Sequence, residues 1–157
     1  MRKRGIGPVS VRHTLVRSRW IEIDKDASVE VTSEEEGYPI EAPLRGDGGG
    51  SWRAAEPGPQ TIRLVFDAPR RLQRIWIVFE ERDVARTQEF VLRWSPDGGQ
   101  TYHDIVRQQY TFAPPGTIRE VEDYTVDVQG VTVVELHIVP EIAGGLARAS
   151  LSEWLLA

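Results

Sequence analysis

Cysteine is absent from all 157 residues. No disulfide framework, thiolate metal site or cysteine nucleophile is therefore available, and the absence suits a reducing compartment. Histidine is scarce: His13, His103 and His137 are scattered, without a spacing that would suggest a shared metal. No run of about 18 apolar residues occurs, so no membrane-spanning helix is expected. The basic start is broken by Arg12, His13, Arg17 and Arg19 and lacks the apolar stretch of about 7 to 15 residues that a secretion signal needs. A cytoplasmic location is the default expectation. Helical periodicity is missing as well, and no window of about twelve residues repeats at the helical period.

What is present is charge, unevenly spread. Six of the 19 basic residues (Arg2, Lys3, Arg4, Arg12, Arg17 and Arg19) fall within the first 20 positions, which hold no acid, so the remaining 13 face all 24 acids. An acidic body argues against a phosphate-tracking surface, and nucleic acid is not an expected partner. The chain length suits one domain, read as a basic arm over residues 1–18 followed by a single domain over residues 19–157.

From residue 60 onward, apolar and polar residues alternate in short runs, the period of a strand with one buried face. Ile62, Leu64 and Phe66 share a face, as do Ile75, Ile77 and Phe79, then Phe90, Leu92 and Trp94, then Val134, Leu136 and Ile138. Breakers separate them, among them Ala68-Pro69, Pro96-Asp97-Gly98-Gly99 and Gln129-Gly130. The expected strands are residues 19–23, 28–33, 60–66, 72–80, 87–95, 102–110, 118–128 and 131–139, with a ninth at 147–156. Short strands between turn signals indicate an all-β sandwich or barrel. Residues 34–59 read as a long excursion that Tyr38, Ile40, Leu44 and Trp52 could anchor.

Three local motifs bear on function. Ser95-Pro96-Asp97-Gly98-Gly99-Gln100-Thr101-Tyr102 resembles the Asp-box hairpin, and a single copy reads as a turn device. Asp24 to Glu35 has the carboxylate spacing of an EF-hand loop, but Val29 stands where that loop needs glycine. Arg45-Gly46-Asp47-Gly48-Gly49-Gly50-Ser51-Trp52 is glycine-rich without a following Gly-Lys-Ser/Thr, which excludes a phosphate loop and leaves oxygen ligands of the kind calcium uses.

In order along the chain, Val31-Thr32-Ser33-Glu34, Gly37-Tyr38-Pro39, Leu44-Arg45-Gly46-Asp47, Ser51-Trp52, Ile62-Arg63-Leu64-Val65-Phe66, Phe90 to Gly98 and Ala149-Ser150-Leu151-Ser152-Glu153-Trp154 are similar to the galactose-binding-like superfamily. The resemblance is to its discoidin or coagulation factor type C domains and the related bacterial carbohydrate-binding modules. It implies a jelly-roll β-sandwich of about eight strands that binds ligands through loops at one end, and a structural calcium. Carried over residue by residue, Asp47 and Glu153 would be side-chain ligands of that ion, with Arg45 and Gly50 offering carbonyls. Glu153 falls in phase with Leu151 and Leu155 and would face inward, where a carboxylate needs a cation or strong hydrogen bonds. The sugar-binding positions of the family fall near Glu35, near Arg82 and Arg86, and at Leu146, so a ring for stacking would come from Tyr38 or Trp52.

The resemblance implies a non-catalytic module for a glycan or carbohydrate-like ligand. The alternative is an intracellular adaptor that binds protein. Trp76 and Val78, with Val65 and Val91, suggest a second apolar face for a partner or another copy of the chain. A catalytic site is not expected, since acid pairs such as Glu35 with Asp83 arise by chance among 24 acids.

Overall fold

The computed structural model describes residues 20–157; the basic arm expected over residues 1–18 lies outside the described residues. The elements, in chain order, are a helical turn α1 (Ile23–Asp26), β1 (Ala27–Val31), a helical turn α2 (Glu41–Leu44), β2 (Trp52–Arg53), β3 (Gln60–Glu80), β4 (Arg86–Ser95), β5 (His103–Phe112), β6 (Arg119–Val139), β7 (Ser150–Leu151) and β8 (Glu153–Leu156). All strand pairings are antiparallel, and among the described residues no helix is long and apolar enough to cross a membrane.

Two strands of 21 residues, β3 and β6, organise the molecule. The first part of β3 pairs with β1 and with the last part of β6, which continues to β4 and β5; the last part of β3 pairs with β8 and with the first part of β6. A five-stranded layer β1-β3-β6-β4-β5 thus faces a three-stranded layer β8-β3-β6, a jelly-roll sandwich as expected. The sequence suggested four strands where there are two. Ala68-Pro69 and Gln129-Gly130 do not end strands; they bend continuous ones. Register shifts fall between Val65 and Arg74, and Gly130 adopts φ +72°, so the pair turns the corner between layers without parting.

The core is the alternation read from the sequence. Ile62, Leu64, Ile75, Ile77, Phe79, Phe90, Leu92, Leu136 and Ile138 are all fully buried, and the rings of Phe79 and Phe90, from opposite layers, lie 5.0 Å apart. Each such side chain stabilises the fold by roughly 1.5–3 kcal/mol relative to exposure. The excursion over residues 34–59 is packed: Ile40, Ala42 and Leu44 are buried, and the Trp52 indole N–H donates to the Ser33 carbonyl at 3.0 Å. The expected first strand is not one. Ile21 donates a backbone bond to Leu156, but Ile23–Asp26 curls into a helical turn before a ladder can form.

The outward face of the five-stranded layer carries an ion ladder with one residue from each strand. Glu30, Arg63, Glu135, Arg93 and Asp104 are successive cross-strand partners. Their contacts run 3.8, 2.8, 3.7 and 3.0 Å, with Glu135 buried at the centre. At the tip of β4, Asp97 accepts from Ser95 Oγ (2.7 Å), the Thr101 amide (2.9 Å) and Thr101 Oγ1 (2.7 Å), while Gly98 and Gly99 take positive φ. These bonds, that of Ser95 foremost, hold the Asp97 pKa down at about 2. The motif is a turn lock, as its single copy suggested.

Candidate ligand-binding pocket

A pocket of about 680 Å³ lies over the outer face of the three-stranded layer, not between the two layers. Val78 and Glu80 of β3 and Glu153 of β8 contribute to it from the sheet, and Arg119 from the start of β6. Three segments wall it: Gly48, Gly50 and Ser51 with Arg53 of β2, Glu81 to Val84 between β3 and β4, and Leu146 to Arg148 between β6 and β7. Strand alternation explains the sheet residues, because Ile75, Ile77 and Phe79 point into the core and their neighbours must point out.

Most charged groups around the pocket are already engaged. Glu35 sits behind the wall and accepts from Arg148 at 2.9 Å, with Arg53 at 3.6 Å from its other oxygen. The Arg53 guanidinium also lies 4.3 Å over the Tyr38 ring. Arg82 donates to Glu80 at 3.0 Å. Glu81 accepts from Arg86 Nε at 2.8 Å and from the amides of Asp83 and Val84 at 3.1 and 3.2 Å. Burial alone would raise the Glu81 pKa, but the guanidinium and these amides outweigh it and hold the carboxyl below its ordinary value. Its loop is thereby pinned to the sheet. Glu153 accepts the Trp76 indole N–H at 2.7 Å.

Of the residues singled out from the sequence, Gly50, Arg82, Leu146 and Glu153 line this pocket together. Glu35 and Tyr38 stand behind it, bound by the arginines that do line it. Two expectations fail on burial. Trp52 is wholly buried and presents no ring face to a ligand, and Arg86 is 3% exposed, its Nη1 donating to the Pro140 carbonyl at 2.8 Å and to Gln88 at 3.2 Å. Arg86 therefore supports the loop rather than meeting a ligand. Glu153 points outward, not inward: Ser152 separates β7, which pairs with β2, from β8, which pairs with β3, and the break shifts the phase so that Trp154 and Leu156 enter the core. The apolar face expected from Trp76, Val78, Val65 and Val91 does not form, because Val78 and Val91 are buried and the two pairs lie on outer faces of different layers.

Sequence reading missed Arg53, Arg119 and Arg148. Their signal was available in part, since each is a base at or beside a strand end, but nothing local placed them around one cavity. For the expected calcium, Asp47 is exposed and spends Oδ1 on the Gly49 amide at 2.7 Å, and Glu153 spends Oε1 on Trp76. Among the described residues no three acidic or imidazole side chains converge, so an ion here would be held largely by carbonyls such as those of Arg45 and Gly50.

No protein-family model matches the chain, and no curated protein matches it. Solved structures do. The family 32 carbohydrate-binding module of Clostridium perfringens NanJ, solved with galactose, is 14% identical, with 87% of this chain and 96% of that one covered at a TM-score of 0.65. A further module of this kind, from a family 31 glycoside hydrolase of Clostridium perfringens, is 14% identical over 89% and 95% of the two chains at 0.66. The family 32 module of AlyQ, solved with 4,5-unsaturated mannuronic acid, is 13% identical over 84% and 95% at 0.62. The chain thus has the galactose-binding-like fold of the family 32 carbohydrate-binding modules.

Proposed function

We propose that this chain is a non-catalytic carbohydrate-binding module whose ligand site is the pocket over the three-stranded layer. The observation that carries the reading is the pocket itself, a cavity of about 680 Å³ walled by guanidinium and carboxylate groups from separate loops. Several of those groups are held in place by partners outside or beneath it. Such preorganised planar donors and acceptors suit the hydroxyls of a sugar. Modules of the same fold that hold galactose or an unsaturated mannuronic acid support it. No aromatic ring lines the pocket among the described residues, so Val84 and Leu146, the latter 86% exposed, would serve as the apolar wall.

Calcium belongs to this proposal as a brace. Asp47 and Glu153, with the carbonyls of Arg45 and Gly50, would hold it between the glycine-rich loop and β8, and a metal-free chain would melt at a lower temperature than a calcium-loaded one. The function is tested by a glycan-array screen of the purified chain, followed by calorimetry on any hit with Arg148→Ala and Leu146→Ala. Specific binding that both substitutions weaken is expected. A blank array from folded protein, with a bound protein partner in its place, overturns the reading in favour of an adaptor.

A further inference from the structure

Resting on the reading that the pocket holds a glycan, we infer that it selects saccharides carrying an anionic substituent, received by Arg119 and by the Arg53–Arg148 pair that Glu35 positions. The ligand chemistry follows from the groups that the pocket leaves unpaired. Its lining contains Arg53, Arg82, Arg119 and Arg148 against Glu80, Glu81, Asp83 and Glu153, so net charge decides nothing. Which groups remain free does.

Glu81 has both oxygens occupied, and Glu80 neutralises Arg82 through a single bond at 3.0 Å from Arg82 Nη2 to Glu80 Oε2. Arg53 and Arg148 share the single carboxylate of Glu35, which leaves one positive charge uncompensated on that wall. Arg119 is exposed, and its guanidinium makes no hydrogen bond or ion pair among the described residues; its carbonyl is held by the Tyr110 hydroxyl at 3.0 Å. A guanidinium carries five N–H donors in a planar fork and matches a carboxylate or sulfate bidentately. The free acceptors are Asp83, Glu80 Oε1 and the second oxygen of Glu153, which suit hydroxyl donors. A uronic acid supplies both, a carboxylate for an arginine and hydroxyls for the acids. A neutral sugar would leave the arginine forks with half-matched hydroxyl partners.

Glu35 is therefore a positioning residue rather than a ligand contact. Loss of its charge would let Arg53 and Arg148 drift apart without removing either donor.

The test is calorimetry of the whole chain with galacturonate, mannuronate and glucuronate oligosaccharides, each against its neutral counterpart and against a sulfated galactan oligosaccharide, at low and high salt. The expected result is binding of an acidic oligosaccharide about tenfold or more tighter than its neutral counterpart, weakening with salt. Arg119→Gln should erase that preference while the neutral sugar's affinity stays within about twofold. Glu35→Gln should lower affinity for the acidic ligand less than Arg148→Ala does, with unchanged melting of the protein. Stronger binding of the sulfated oligosaccharide assigns the anion to sulfate. Equal binding of acidic and neutral partners, or a preference that survives Arg119→Gln, overturns the inference and leaves the glycan reading standing. Binding of no saccharide at all removes that reading instead.

Discussion

Glu120 is the residue whose replacement should strengthen the fold, and by an amount that depends on pH. It lies on the inner side of β6, 1% exposed, with Oε1 3.5 Å from the Gln88 amide nitrogen and Oε2 without a partner among the described residues. Glu122 and Tyr124 follow on the same side of the strand. Burial foremost, then the neighbouring Glu122 carboxyl, push the Glu120 pKa from its ordinary 4.5 up to about 8, and Gln88 offsets only part of this. The sign follows from proton binding. Below the ordinary value both folded and unfolded chains hold the proton and Glu120 is neutral to stability. Between about 4.5 and 8 the folded chain keeps a proton that the unfolded chain releases, so stability falls as pH rises, and it levels off above about 8. At 1.36 kcal/mol per unit the cost at pH 7 is on the order of 3 kcal/mol. Glu120→Gln keeps the shape, still accepts from Gln88 and can donate to Glu122. Urea unfolding from pH 5 to pH 8 should show the variant and the parent alike at the acid end and the variant increasingly more stable toward the basic end. A variant that gains nothing with rising pH, or is the less stable protein at pH 8, refutes the account.

Three other perturbations test separate parts of the structure. Glu135→Ala leaves Arg63 and Arg93 facing an empty central rung, and a loss of about 1–2 kcal/mol in urea unfolding is expected, against less than about 0.5 kcal/mol for Glu30→Gln at the exposed end. The depressed Asp97 carboxyl contributes stability above its ordinary value of 3.8 that is lost as pH falls through about 2. Thermal melts of Asp97→Asn should accordingly change less than the parent's across that interval. Trp52→Ala should cost about 3–5 kcal/mol by chemical denaturation, because the ring is wholly buried, and whatever protein remains folded should bind ligand with little change. Binding lost in folded Trp52→Ala protein would return the ring to the site.

The strands and the core were legible in the chain because a strand reports its buried face every second residue. Ile62, Leu64 and Phe66, or Phe90 and Leu92, need only local alternation to be assigned, and the Ser95–Thr101 turn carries its own hydrogen-bond partners within a few residues. The order of its short motifs also announced the sandwich. What the period cannot express is continuity across a bend, so Pro69 and Gly130 read as ends of strands that in fact turn from one layer into the other. Nor can it follow a change of phase such as that at Ser152, which turns Glu153 from the core to the pocket. The pocket itself belongs to the tertiary structure. Glu35 meets Arg148 across 113 positions, and Arg86, a surface residue by composition, is sealed under a loop that only strand order brings over it. Local chemistry sets which way a side chain faces, whereas the layering of distant strands sets what it faces, and a binding site is made of the second.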